Sequence, residues 1–288
     1  MTGLRAFLTS AIAAVAAIVA SPAISQERVL NVYNWSDYID RKLLAQFTKE
    51  TGIRVVYDTY DSNESLEAKL LAGNTGYDLV LPSATFLQRQ IAAGVYRKLD
   101  RSRLKNTSGL WKEIDKQLSV YDPGNQYAIN YMWFTTGIAY NTKKIAERTN
   151  GKPPVSWNDV LIPENLKRFA DCGVYFLDSP EDMFSIALKF LKLNPDSGNS
   201  RDLRKAGELL RTLRPLIRKF HSSEYINALA NGDICLAIGW AGDSFQARNR
   251  AREAKYGVEI AFVLPAEGTL ISMDNFAIPI DAKYVDEG

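Results

Sequence analysis

Acidic side chains are concentrated in six segments that follow predicted strands of this 288-residue chain. Ligands of an open parallel sheet bind beyond the carboxyl ends of its strands, so these segments are expected to line a binding site. They contain no Lys or Arg, although the whole chain has a net charge of +2, and this one-sided charge predicts a cationic ligand. The segments are 34–38, 61–65, 82–87, 178–184, 239–246 and 272–275, and their acids are Asp37, Asp61, Glu64, Asp178, Glu181, Asp182, Asp243 and Asp274.

Aromatic residues in the same segments indicate what kind of cation would fit. Trp35, Tyr38 and Trp240 lie among the acids. An aromatic face attracts an ammonium group by roughly 0.5–2 kcal/mol, and covering a methylene contributes about 0.8 kcal/mol. Core packing would explain any one of these Trp residues, but the cluster of aromatics and carboxylates fits an alkyl diamine.

Helix capping is the alternative explanation for these acids. Asp and Glu are common at helix N-termini, where they accept free N–H groups and suit the helix dipole. We expect about half of the eight to be caps, beginning with Asp61 and Glu64, whose spacing resembles a capping box.

The pattern of apolar residues predicts the elements that position these segments. In the first third of the chain, short apolar runs at 29–33, 53–57 and 78–81 alternate with helical patterns at 41–50, 61–73 and 86–93. This β-α-β-α-β order predicts a parallel sheet with right-handed crossovers.

A second α/β unit follows with a different sequence. Strands are predicted at 173–177, 234–240 and 258–264, and helices at 181–191, 203–213 and 244–255. Two such units predict two lobes, with the extended segments 131–141 and 270–279 connecting them.

The first 25 residues have the features of a signal peptide. Arg5 is their only charged residue, an apolar run follows it, and small residues permit cleavage after Ala23 or Ser25. Removal would leave 34 basic and 33 acidic residues, a balance that favours neither nucleic acid nor a membrane as a partner. Export also favours a disulfide between Cys172 and Cys235, the two cysteines of the chain, over two buried thiols.

Long stretches of the sequence closely resemble the periplasmic putrescine/spermidine-binding proteins of ABC importers. The most specific are Tyr-Asn-Trp-Ser-Asp-Tyr at 33–38, His-Ser-Ser at 221–223 and the run 232–243. The resemblance extends from about Val29 to the last residue. It implies a two-lobed, type II periplasmic-binding-protein-like α/β fold, with a sheet flanked by helices in each lobe and a hinge between the lobes. The expected division is a signal peptide at 1–25, a first lobe at 26–137 plus 271–288, and a second lobe at 138–270.

The resemblance also implies a role for each site residue. Trp35 and Trp240 would cover the methylene chain, while Ser36, Asp37, Tyr38 and Ser83 would bind one ammonium from the first lobe. Glu181 and Asp243 would face them from the second lobe, Asp274 would pair with an ammonium near the hinge, and Cys172–Cys235 would match a family disulfide.

The implied partners are a polyamine, with putrescine first and spermidine or a related amine next, and a permease. We expect a periplasmic monomer that needs no cofactor or metal, does not bind nucleic acid and meets the membrane only through the permease.

Two departures from the family pattern bear on the ligand. Ser272 stands where the family usually has an aromatic residue, two positions before the matching Asp274, so weaker binding or altered preference among amines is expected. The family also continues past the position of Gly288 with further helices, another interlobe crossing and an aromatic contact. The resemblance therefore predicts a C-terminally truncated form.

Other functions fit the sequence less well. His221 is the only histidine, which argues against histidine-rich metal sites and Ser-His-Asp triads, and it is expected to be structural. A carboxylate pair such as Glu181 with Asp243 would suit a hydrolase, and a sugar or metal cation remains an alternative ligand. The basic stretches at 201–219 and 248–255 are expected to be solvated faces, with docking to a permease or an anionic membrane as the alternative.

Overall fold

The computed structural model describes residues 27–288, which form nine strands and eleven α-helices. The signal peptide predicted at 1–25 lies outside the described residues. The strands are β1 (Val29–Trp35), β2 (Arg54–Tyr60), β3 (Leu79–Val80), β4 (Ala128–Asn141), β5 (Val174–Phe176), β6 (Lys219–Phe220), β7 (Leu236–Trp240), β8 (Ile260–Val263) and β9 (Ile271–Ala277). The helices are α1 (Arg41–Thr51), α2 (Asn63–Ala72), α3 (Ala84–Ala92), α4 (Lys112–Leu118), α5 (Thr142–Thr149), α6 (Asn158–Leu161), α7 (Pro163–Leu166), α8 (Pro180–Phe190), α9 (Ser200–Leu213), α10 (Glu224–Ala230) and α11 (Ala241–Ala254).

The first three strands form the parallel sheet that the β-α-β-α-β pattern predicts. β1 pairs in parallel with β2 on one side and with β3 on the other. Asp40 caps the start of α1 by accepting the N–H of Lys42, and Gly52 caps its end with a left-handed φ of 71°. Because the three strands are parallel, their carboxyl ends share the edge that carries Trp35 and Ser83.

The second unit repeats this parallel arrangement with β5 between β7 and β6. Their carboxyl ends lead into Asp178, Ser222 and Trp240, so a second set of predicted binding segments shares one edge. His221 has a structural role here, because its Nδ1 accepts the backbone N–H groups of Ser223 and Glu224 at the start of α10.

The two predicted connecting segments form an antiparallel pair that joins the two units. The first part of β4 pairs with β9, and its second part pairs with β7 and β8. The resulting strand order is β2-β1-β3-β9-β4-β7-β5-β6, with β8 on β4. Gly137 permits the β4–β8 contact, since a Cβ there would lie 2.5 Å from the Phe262 ring and from the Val263 carbonyl oxygen.

Two separate hydrophobic cores follow from this arrangement. One is built around Leu66, Leu81 and Leu87, and the other around Trp157, Phe176 and Ile238. Trp240 packs against both cores. The predicted two-lobed α/β fold is confirmed.

The capping box expected at Asp61 and Glu64 is wrong. Ser62 is the N-cap of α2 and accepts the N–H of Ser65, while Ser179 caps α8 in the same way. Within residues 27–288, none of the eight acids accepts a backbone N–H at a helix start; at α2 and α8 the neighbouring Ser62 and Ser179 take that position. Four of the acids still lie in the first turns of helices, where their charge suits the helix dipole: Glu64, Glu181, Asp182 and Asp243.

Cys172 and Cys235 form the predicted disulfide. Both half-cystines are buried, and the bridge closes a sequence separation of 63 residues just before the adjacent strands β5 and β7. Restricting the unfolded chain in this way contributes roughly 2–4 kcal/mol to stability.

Replacing both cysteines with Ser is therefore expected to lower the free energy of unfolding by roughly 2–4 kcal/mol. Urea unfolding followed by tryptophan fluorescence measures this loss. Reduction of the parent protein should give the same midpoint as the double variant. Equal midpoints for the oxidised parent and the double variant would show that the bridge does not stabilise the fold.

In the part of the chain that the structure describes, no helix is both long and apolar enough to cross a membrane.

Candidate ligand-binding site

A cavity of about 610 Å³ lies between the two lobes, where the parallel strands end. The structure brings eight of the nine predicted ligand-binding residues to its wall. They come from five regions that are far apart in the chain and meet only in the folded protein. The eight are Trp35, Ser36, Tyr38, Ser83, Glu181, Trp240, Asp243 and Asp274.

Asp274 on β9 is a buried carboxylate held by two hydroxyl groups. Its Oδ2 accepts the Tyr38 hydroxyl at 2.7 Å and its Oδ1 accepts the Ser83 hydroxyl at 2.6 Å. Only 2% of Asp274 is exposed. Burial raises the pKa of Asp274 to about 7, although the two hydrogen bonds oppose this shift.

Asp243 occupies the corresponding place in the second lobe, in the first turn of α11. Its Oδ2 accepts a hydrogen bond from the Tyr225 hydroxyl at 3.0 Å. The oxygen of that hydroxyl in turn accepts the backbone N–H of Trp240 at 3.0 Å. Burial raises the pKa of Asp243 to about 7, against the effect of the Tyr225 hydrogen bond. The negative charge of Asp37 adds to the rise, and Arg250 opposes it.

Glu181 and Asp182 at the start of α8 add two further carboxyl groups. Asp182 accepts the Ser179 hydroxyl at 2.7 Å and the Thr136 hydroxyl at 3.0 Å. Burial raises the pKa of both acids. Within residues 27–288, neither of them forms an ion pair, and the same is true of Asp243 and Asp274. Carboxylates buried without a countercharge are costly, and a cation in the cavity would relieve that cost.

Aromatic rings line the cavity between the acids. The Trp35 and Trp240 rings meet edge to face with centroids 5.8 Å apart, and Phe134 lies 6.0 Å from Trp240. Trp35 is fixed by a hydrogen bond from its Nε1 to the Leu81 carbonyl oxygen at 3.0 Å. The wall therefore offers apolar contact to the aliphatic part of a ligand.

Asp37 is the predicted residue that the structure does not place among the cavity lining. It lies in a turn after β1 with a φ of 58°. Its Oδ1 pairs with Arg250 Nη2 at 2.6 Å, and its carbonyl oxygen accepts Gln246 Nε2 at 2.8 Å. Its carboxylate is thus directed to α11 of the other lobe, and its role as an ammonium ligand stays a prediction.

Acids line the cavity, as the sequence predicts, but one acid of the predicted set is replaced by another. Eight acids line it, and among the described residues no Lys, Arg or His does so. Asp196 takes the place of Asp37 in the predicted set. It was missed because it precedes α9 and follows no strand, so the strand-end rule does not select it.

Several other lining residues were absent from the predicted site. Phe134 pairs with Ser272 across the β4–β9 ladder, so an aromatic ring from the neighbouring strand lies beside the position where the family has its own aromatic. Ser222 and Ser223, noted in the sequence beside His221, also line the cavity. Phe134 could have been found only by knowing the register of β4 against β9.

Within residues 27–288, no group of three acidic, His or Cys side chains is arranged to hold a metal ion.

Comparisons with known proteins agree with this geometry. The family model described as bacterial extracellular solute-binding protein matches residues 42–288. The putrescine-binding periplasmic protein PotF of Escherichia coli is 53% identical over 265 residues, covering 91% of this chain and 72% of that protein. SpuD, a putrescine-binding periplasmic protein of Pseudomonas aeruginosa, is 52% identical over 263 residues, with the same two shares. The solved structure of the TpPotD lipoprotein of Treponema pallidum gives a TM-score of 0.76 at 29% identity, covering 90% of this chain and 77% of that one.

Two lobes joined by a pair of strands around an acidic cavity with aromatic walls define a solute-binding protein. The chain belongs to the family of bacterial extracellular solute-binding proteins. Its resemblance to the periplasmic polyamine-binding group of that family is confirmed by relatives that are more than half identical to it. These relatives are named as binding proteins rather than as enzymes.

Proposed function

We propose that the chain binds a polyamine, with putrescine as the first candidate and spermidine or a related amine as the next, and delivers it to the permease of an ABC importer. The cavity lining carries this proposal. It combines eight acids with indole and phenyl rings, and within residues 27–288 it includes no basic side chain. A flexible dication with an aliphatic middle matches both properties.

The proposed contacts divide the ligand between the lobes. Asp274, with the hydroxyl groups of Tyr38 and Ser83, takes one ammonium, and Asp243 takes the other from the second lobe. Ser36, Asp37 and Glu181 complete the polar contacts. Trp35 and Trp240 cover the methylenes between the two charged ends.

Binding is coupled to closure of the lobes in this proposal. The first lobe comprises 26–137 plus 271–288, the second comprises 138–270, and the hinge lies where β4 and β9 pass between the two cores. Separate cores and acids on facing walls support such a motion. A polyamine that touches both walls stabilises the closed form through its higher affinity for that form.

The proposed cellular setting is the periplasm. The chain is exported to the periplasm, with cleavage after Ala23 or Ser25, and acts there as a monomer. The permease recognises the closed form and accepts the amine. The periplasmic proteins of E. coli and P. aeruginosa support this location, since they are 53% and 52% identical to this chain over the aligned residues.

A ligand panel tests the proposal. Purified protein is titrated by calorimetry with putrescine, cadaverine and spermidine, and with glucose and calcium as the rival ligands. We expect saturable heat with at least one amine and none with glucose or calcium. Binding of glucose or calcium with no amine bound would overturn the assignment, and turnover of a glycoside would revive the hydrolase alternative.

A further inference from the structure

The outer surface of the second lobe carries a strongly basic helix face. Arg201, Arg204, Lys205 and Arg211 recur on α9 three or four residues apart, or at multiples of that spacing, so they lie on one side of the helix. All four are exposed, and Glu208 is the one acid among them. Arg214 and Arg218 continue the exposed positive charge past the end of the helix. We call the four residues on α9 the basic face.

Ion pairs distinguish the basic face from part of the remaining surface. Several exposed arginines elsewhere pair with acids, as in Arg54 with Glu27, Arg89 with Glu67 and Arg103 with Asp286, whereas, among the described residues, Arg41 and Arg252 do not. Within residues 27–288, none of the four side chains of the basic face forms an ion pair. The second acid of α9, Asp202, is turned aside and accepts the Ser197 hydroxyl at 2.8 Å. With Glu208 as the one acid among four cations, the basic face keeps a net charge of +3.

The opposite side of α9 is fixed in the fold. Ala206 and Leu213 are fully buried, and Leu203, Leu209 and Leu210 pack around α8. The helix therefore cannot turn an apolar side outward to insert into a bilayer. Its exposed side can only adsorb electrostatically to an anionic surface.

The residue types favour phosphate as the anion. Three of the four cations are Arg, whose planar guanidinium donates two parallel hydrogen bonds to phosphate oxygens. Fourteen helical residues span about 21 Å, which is long enough to touch several lipid head groups at once.

We propose that the basic face binds the anionic phosphate head groups of a phospholipid bilayer and brings the chain to the membrane that contains the permease. The position of the permease rests on the proposed function, but the lipid contact does not. Each Lys or Arg near an anionic surface adds to the attraction. Salt weakens such contacts because it screens exposed charges.

Vesicle sedimentation tests this proposal with the full chain. We expect binding to vesicles of phosphatidylcholine with about one third phosphatidylglycerol, and little binding to pure phosphatidylcholine. Combining Arg201→Gln, Arg204→Gln and Arg211→Gln should reduce binding at least about tenfold. Raising the salt concentration should release the parent protein.

A matched control variant tests whether vesicle binding depends on the basic face or only on the total charge of the chain. Arg41→Gln, Lys42→Gln and Lys49→Gln remove the same charge from the exposed side of α1 and should leave vesicle binding nearly unchanged. Failure of the parent to bind anionic vesicles, or equal binding losses in both triple variants, would overturn the proposal. Calorimetry with putrescine should be unchanged in both variants, so a failure of this inference is distinguishable from a failure of the polyamine assignment.

Discussion

Asp274→Asn is expected to weaken putrescine binding by about 30-fold or more. The substitution removes a buried charge that would pair with an ammonium, a loss on the order of 2–5 kcal/mol when the pair is desolvated. The shape of the side chain is kept, but the amide oxygen can accept only one of the two hydroxyl groups of Tyr38 and Ser83, so the other loses its acceptor. Calorimetric titration of parent and variant with putrescine measures the difference.

Two further variants make this result specific. Asp243→Asn should weaken binding comparably, because it removes the buried charge of the second lobe without touching the Tyr38 and Ser83 hydrogen bonds. Asp61→Asn changes an exposed acid of the same cavity and should cost only a few-fold. If Asp274→Asn and Asp243→Asn both bind putrescine as well as the parent, the proposed contacts are incorrect.

Putrescine affinity should also fall steeply between pH 8 and pH 6. Burial raises the pKa values of Asp243 and Asp274 to about 7 in the free protein, so both acids become protonated across this range. An ammonium binds the deprotonated forms, and each group lowers the apparent affinity about tenfold between these pH values. Together they predict a loss of about 100-fold, while putrescine keeps its two charges throughout.

The stability of the free protein should respond to pH in the opposite direction. An acid whose pKa is raised by folding binds more protons in the folded state, so its contribution to stability decreases as pH rises from about 4 to about 7. Acidification from pH 8 to pH 6 should therefore raise the free energy of unfolding of the ligand-free protein through these two acids. The same change weakens the binding of putrescine. Calorimetry in buffers of different ionisation enthalpy should detect protons released on binding at pH 6. Constant affinity across the range would show that neither acid contacts the ligand.

The capping residues show why local patterns misassigned some acids. Asp61 and Ser62 are both suitable N-caps for α2, and sequence alone did not separate two candidates one residue apart. The backbone begins its helix at Asn63, so Ser62 is at the capping position and Asp61 is left to line the cavity. A shift of one residue decided whether a carboxylate caps a helix or faces a ligand.

Long-range contacts explain the remaining differences. Asp37 lies in one of the most specific motifs of the chain, yet its carboxylate forms an ion pair with Arg250, which is more than two hundred residues later. Phe134 lies beside Ser272 because β4 pairs with β9, and the register of this pair cannot be deduced from either segment alone. Asp196 reaches the cavity from a loop that no strand-end rule selects.

The sequence by itself determined the two α/β units, the connecting strands, the disulfide and an acidic, aromatic site suited to a cation. These features depend on residue type and local spacing, which folding preserves. The tertiary structure decided which acids lose solvent, which hydroxyl groups hold Asp243 and Asp274, and which carboxylate is taken up by an arginine. Those outcomes depend on distances between residues that are remote in the chain, such as Asp274 and its partners Tyr38 and Ser83.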